Sequence, residues 1–181
     1  MIEKDSLLPT TRENLMEAFC LLNCEMPVDK ITVSQLARKA GYDRTTFYQY
    51  FLDLEDLQKA VEEDFTAFIK KHRANTAVSD TSFVQTMLVA YQQKPLYFNA
   101  LLGKYGDGAY LYQLVDSFKF DLAELHLPDD DKRKEYLIEF HLTTTLALFR
   151  HWLQHDKNLP LEELIILIKQ LYMDGINGAV N

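Results

Sequence analysis

Only two cysteines, six glycines, five prolines and one tryptophan occur among 181 residues. Cys20 and Cys24 stand four apart in a segment that reads as helix, where a disulfide would require helical geometry to be broken. A disulfide scaffold is thereby excluded, and a reduced, cytoplasmic setting is expected. Scarce glycine and proline beside 48% apolar residues exclude a disordered or low-complexity chain. Cations are also in short supply: 19 Lys and Arg face 27 Asp and Glu, for a formal net charge of −8. That balance argues against a nucleic-acid coat protein or a polybasic membrane binder, though not against a local basic patch. Long hydrophobic runs are missing too. The longest aliphatic stretch, Leu164 to Ile168, falls far short of the roughly 20 residues that cross a bilayer. Met1 to Thr10, with Glu3, Lys4 and Asp5, lacks the apolar core of a secretion signal. A soluble chain with no membrane partner is expected, built as one domain or two closely packed units.

Catalytic signatures are absent as well. No nucleophile elbow, glycine-rich phosphate loop or Cys-x-x-Cys pair occurs, so an enzyme is not expected. His151 and His155 have the i, i+4 spacing of two metal ligands, but Trp152-Leu-Gln154 between them lacks the glutamate of a zinc-protease helix. None of the five histidines follows a Glu by three residues, as a dimetal bundle would need. Asp129 to Asp131 lacks the alternating ligands and glycine of a calcium loop and reads as a helix cap. The expectation is therefore no metal and no cofactor.

What is present is helical periodicity. Leu15, Phe19, Leu22 and Met26 repeat along Thr11 to Glu25, with Pro27 beyond. Thr32-Val-Ser-Gln35 fits a capping box that opens a second helix, stopped at Gly41. Asp43 caps a short third helix from Arg44 to about Tyr50, with Phe47 and Phe51 inward. Asp53 opens a longer one with an acidic first turn, Glu55 and Asp56, and a stripe of Leu57, Val61, Phe65 and Phe68. Asn75 to Ser82 reads as a connection.

Further helices are predicted through Val84 to Tyr91, from Pro95 to Leu102, and through Leu111, Leu114, Val115, Phe118, Leu122 and Leu125. Leu127-Pro-Asp-Asp-Asp131 caps a long helix reaching His155, and Leu159-Pro160 opens a last one ending near Gly175. No segment shows strand alternation, so the fold is expected to be all-α with about nine helices.

The most specific pattern lies between residues 32 and 51, where two short helices flank a tight turn containing Gly41: the helix-turn-helix arrangement. From Lys30 to Tyr50 there are four cations (Lys30, Arg38, Lys39, Arg44) and one anion (Asp43), so the acidic chain carries a basic footprint there. Residues 9–68 resemble the DNA-binding domain of TetR-type (TetR/AcrR) transcriptional regulators. The likeness runs through Ile31-Thr-Val-Ser-Gln-Leu-Ala, Ala40-Gly41, Thr46-Phe-Tyr-Gln-Tyr-Phe51 and Leu57 after the acidic turn. Leu148-Phe-Arg-His-Trp-Leu153 and Pro160-Leu-Glu-Glu-Leu164 resemble the last two helices of some such regulators.

The resemblance implies a DNA-binding domain over 9–68 and an effector-binding and dimerisation domain over 69–181. It places Thr32, Arg44, Thr45, Thr46, Tyr48, Gln49 and Tyr50 near a double-stranded operator, with Thr46, Tyr48 and Tyr50 on phosphates and Arg44, Thr45 and Gln49 toward base edges. The family usually has a phosphate-binding lysine where this chain has Leu54; that contact is expected to be missing here or replaced by Lys39 or Lys59. Leu148, Trp152, Leu164, Ile168, Leu171 and Tyr172 are the candidates for a homodimer seam or the core behind it. Met87, Tyr91, Phe98, Phe118 and Phe140 are candidates to line a pocket for a small-molecule effector, or else are ordinary core. The expected function is a homodimeric repressor released from a palindromic operator by a ligand. The alternative is a coactivator or adaptor of the same fold that works through a protein partner.

Overall fold

A computed structural model of the chain describes residues 10–74, 82–118 and 132–173. Nine α-helices and no strands occupy them: α1 (Thr11–Glu25), α2 (Val33–Lys39), α3 (Arg44–Tyr50), α4 (Leu54–Ala74), α5 (Ser82–Gln93), α6 (Pro95–Leu102), α7 (Gly108–Phe118), α8 (Arg133–Gln154) and α9 (Leu161–Met173). A single 3-10 turn, Val28–Lys30, follows Pro27 and had no signature in the sequence. Met1 to Pro9, Asn75 to Thr81, Leu122, Leu125, the acidic cap at 127–131, Gly175 and the side chain of Tyr172 lie outside the described residues.

The helix starts follow local chemistry. Thr10 and Glu13 form a reciprocal capping box on α1, Thr10 Oγ1 accepting from Glu13 N–H at 3.2 Å while Glu13 Oε2 accepts from Thr10 N–H at 2.6 Å. Asp53 Oδ1 accepts from Asp56 N–H at 2.8 Å, and Asp56 Oδ2 from Leu52 N–H at 2.9 Å, at the start of α4. Along α4 the buried stripe is Leu57, Val61, Phe65 and Ile69. The i, i+4 progression drifts round the helix, so Phe68 sits at the rim, its ring centroid 4.2 Å from that of His72 and under the Lys94 ammonium.

α4 joins the two ends of the molecule, packing on α1 at one end and on α5 and α6 beyond. The core of the second part is a chain of rings. Phe65 of α4 meets Phe98 of α6 edge-on, and Phe98 meets Phe149 of α8 and Tyr91 of α5. Tyr91 in turn meets Trp152, whose indole N–H donates to Leu159 O at 2.6 Å and so ties α8 to the start of α9. A second cluster joins Phe83, Phe118 and His141. Burial and the Arg73 guanidinium hold the His141 imidazole neutral, its pKa lowered to about 4.

The most extensive contact between helices from the two ends is α1 on α6. There Asn23, buried in α1, donates from Nδ2 to Ala100 O at 3.0 Å. No helix among the described residues is long and apolar enough to cross a membrane.

Candidate nucleic-acid interface

Seven residues make a helix too short to stand by itself in water, so α2 and α3 depend on caps and anchors. Thr32 Oγ1 accepts from Gln35 N–H at 3.2 Å, and Gln35 Oε1 accepts from Thr32 N–H at 3.0 Å. The far end of α2 closes as a Schellman motif: Tyr42 N–H donates to Ala37 O at 2.8 Å and Gly41 N–H to Arg38 O at 3.1 Å. Gly41 holds φ +83°, where a side chain would be strained. The chain leaves this turn with Asp43 placed as the cap of α3, its Oδ1 accepting from Thr46 N–H at 2.7 Å. That bond holds the Asp43 carboxyl below its usual range.

Phe47 and Phe51 then fix the roll of α3. Both are buried, their centroids 5.9 Å apart, leaving Arg44, Thr45, Tyr48, Gln49 and Tyr50 exposed and Thr46 half-buried at the edge. Arg44 Nη2 donates to Tyr48 Oη at 3.0 Å with the guanidinium over the ring, so these two side chains extend as one unit. Tyr42 Oη accepts from Asn14 Nδ2 at 3.0 Å and secures the turn to α1. The resulting face carries a guanidinium, hydroxyls and an amide, groups that bond phosphate oxygens and base edges.

The other sequence-derived candidates fall as follows. Thr32 is exposed and engaged as a cap. Lys39 is exposed and 3.9 Å from Glu25, a loose surface pair. Leu54 is half-buried and packs on the core, so its side chain is committed to packing. Sequence reasoning missed Leu52. It stands 81% exposed between α3 and α4, next to the carboxylates of Asp53 and Asp56, and no period marks a residue in a turn.

In the second part, Trp152, Leu164 and Ile168 are buried within the chain, whereas Leu148 and Leu171 are half-buried. The outward side of α8 carries Tyr136, Leu137 and Phe140, and α9 adds Ile166. Met87, Phe98 and Phe118 are wholly buried in the ring clusters, and Tyr91 is half-buried. Phe140, grouped with them by spacing, instead lies 54% exposed on α8, its period matching the outer face. A groove of about 450 Å³ opens between α7 and α8 and is lined by other residues, Leu111, Leu146 and Arg150 among them. His151 and His155 are exposed with stacked rings 3.9 Å apart. Cys20 is buried and Cys24 exposed, both as free thiols.

No protein-family model matches the chain, and no curated protein matches it either. Among solved structures it is similar to the fatty acid degradation regulator FadR from Bacillus halodurans. The TM-score is 0.61 at 18% sequence identity, over 93% of this chain and 97% of that one. At that identity the likeness is one of all-helical fold.

Proposed function

We propose that this chain is a TetR-type transcriptional regulator that binds a palindromic DNA operator as a homodimer and is released by a ligand bound in its second part, and so acts as a repressor. The observation that carries this is the α2–Gly41–α3 unit. It presents a short helix, fixed at its start by Asp43 and in roll by Phe47 and Phe51, whose exposed side is Arg44, Thr45, Tyr48, Gln49 and Tyr50. A helix held in that way can enter a major groove with its N-terminal side chains toward base edges. The similarity to a regulator along nearly the whole chain supports the same reading. Residues 9–68 would form the DNA-binding unit and residues 69–181 the regulatory and dimerising one.

The dimer seam follows from what the chain leaves uncovered. Trp152, Leu164 and Ile168 serve the core behind it, and the seam itself falls on Tyr136, Leu137 and Phe140 of α8 with Ile166 of α9. Such a dimer would set two α3 helices about one DNA turn apart, roughly 34 Å. Effector binding would reach them through α4 and the α1–α6 contact, by favouring a different separation.

Anisotropy titration of the purified chain against palindromes selected from a random pool tests this. Preference for particular palindromes at low salt is expected, and uniform binding of all sequences sinks the proposal. One observation favours the coactivator reading as a second choice: Leu54, at the position where the resembled family carries a phosphate-binding lysine, is half-buried and packs on the core. Capture of a specific protein partner without DNA, together with no sequence preference, would decide for it.

A further inference from the structure

The groove between α7 and α8 has a chemical polarity of its own. Its walls are Leu111 and Val115 from α7 and Leu146 and Ala147 from α8. Arg150 stands at one end, with its Nη2 donating to Gly106 O at 3.3 Å and its Nη1 3.8 Å from the place a side chain on Gly108 would begin. That single backbone bond leaves the guanidinium with donors to spare. His151 and Gln154 flank it as further polar groups, and among the described residues no carboxylate belongs to the lining.

We propose that this groove binds an amphipathic monoanion, a carboxylate on an aliphatic body about 10 Å long, the span of α7 from Gly108 to Val115, with Arg150 as its counter-ion. The volume falls within the range of small-molecule sites. Charge complementarity selects the head group, since an ammonium would be repelled by Arg150 and an alcohol would form no ion pair with it. A multiply charged anion is disfavoured by Asp107, which caps α7 through Ala109 N–H at 2.8 Å close to the same end. A second copy of the chain is a poorer occupant, because laying it there would bury a guanidinium that is in no ion pair among the described residues. The assignment deepens the effector half of the regulator reading and rests on it for its biological sense, while the binding itself is measured without DNA.

The test is calorimetric titration of the full-length chain with sodium decanoate below its micellar concentration, with 1-decanol and decyltrimethylammonium as head-group controls. Saturable binding of decanoate at one site per chain is expected, with the ammonium compound not bound. Arg150→Met should weaken decanoate about tenfold or more while leaving decanol within a factor of about two. Ala147→Trp should fill the groove and abolish both, with an unchanged thermal midpoint showing that the fold persists. Equal binding of decanoate and the ammonium compound, or an Arg150→Met variant that binds as before, overturns the assignment. Dissociation of a dimer in step with decanoate binding, seen in sedimentation, also overturns it by giving the groove to a second copy. A chain that binds decanoate but selects no DNA sequence keeps this site and loses the repressor; one that selects DNA and ignores decanoate does the reverse.

Discussion

The two ends of the chain solve the same problem, holding helices in place, with different physics. In the α2–α3 region each helix is only seven residues long, and nearly every end is closed by a named side chain or a glycine turn, with two phenylalanines setting orientation. In the region of α4 to α9 the helices are mostly longer and position comes from interlocked rings, Phe65, Phe98, Phe149, Tyr91 and Trp152 in one chain and Phe83, Phe118 and His141 in another. The contrast extends to what is left exposed. The first region shows hydroxyls, an amide and a guanidinium; the second shows Tyr136, Leu137, Phe140 and Ile166. Short capped helices give a precisely placed polar face suited to DNA, and ring-packed helices free a broad apolar face suited to another protein surface.

The largest expected effect breaks the first region at its anchor. Phe47 is wholly buried and meets both Tyr48 and Phe51, so Phe47→Ala should destabilise the chain by about 3–5 kcal/mol and remove DNA binding. Chemical denaturation measures it; a loss under about 1 kcal/mol would mean that caps alone hold α3.

Next comes acid sensitivity, which should belong to the ring-packed region. His141 has a folded pKa of about 4 against an ordinary value of 6.5. As pH falls the unfolded chain takes up this proton first, so the contribution is complete above about pH 6.5, is lost between 6.5 and 4, and is flat below. Its size is about 3 kcal/mol. His141→Gln should flatten the stability profile in that window. A variant that keeps the wild-type slope would assign acid unfolding to carboxylates elsewhere.

How much was legible in the sequence follows the same division. Capping boxes, a glycine turn and an i, i+4 aromatic pair are local, so Thr32, Gln35, Gly41, Asp43, Phe47 and Phe51 reveal their roles within a few residues of one another. The all-helical fold was legible for the same reason, because period and punctuation are local too. The body's faces were not. Trp152 and Phe140 both lie on α8, both aromatic, yet one is buried against Tyr91 and the other is exposed; which side of α8 faces inward depends on where α5, α6 and α9 pack. Arg150 escaped notice because its significance rests on Gly106 and Gly108, 44 and 42 positions away. The nearness of Lys39 to Glu25 was not legible either, because it depends on how α1 lies against α2.

Within the polar face, Gln49→Ala should change preference at one base pair by about 1–3 kcal/mol, whereas Tyr48→Phe should weaken every sequence alike by less. Competition binding against single-base operator variants separates the two, and equal effects of both substitutions on all sequences would remove Gln49 from base reading.

The smallest effect sharpens the contrast most. Phe140→Ser deletes an aromatic ring from the exposed side of α8, and unfolding of the isolated protomer should change by only about 0.5 kcal/mol, because the ring already meets water. The same substitution should weaken self-association measured by sedimentation, where burying that ring is part of the driving force. Loss of several kcal/mol from the protomer would show instead that Phe140 is covered within one chain. The outer side of α8 would then be core, and the division between a capped polar face and a free apolar one would fail at its second half.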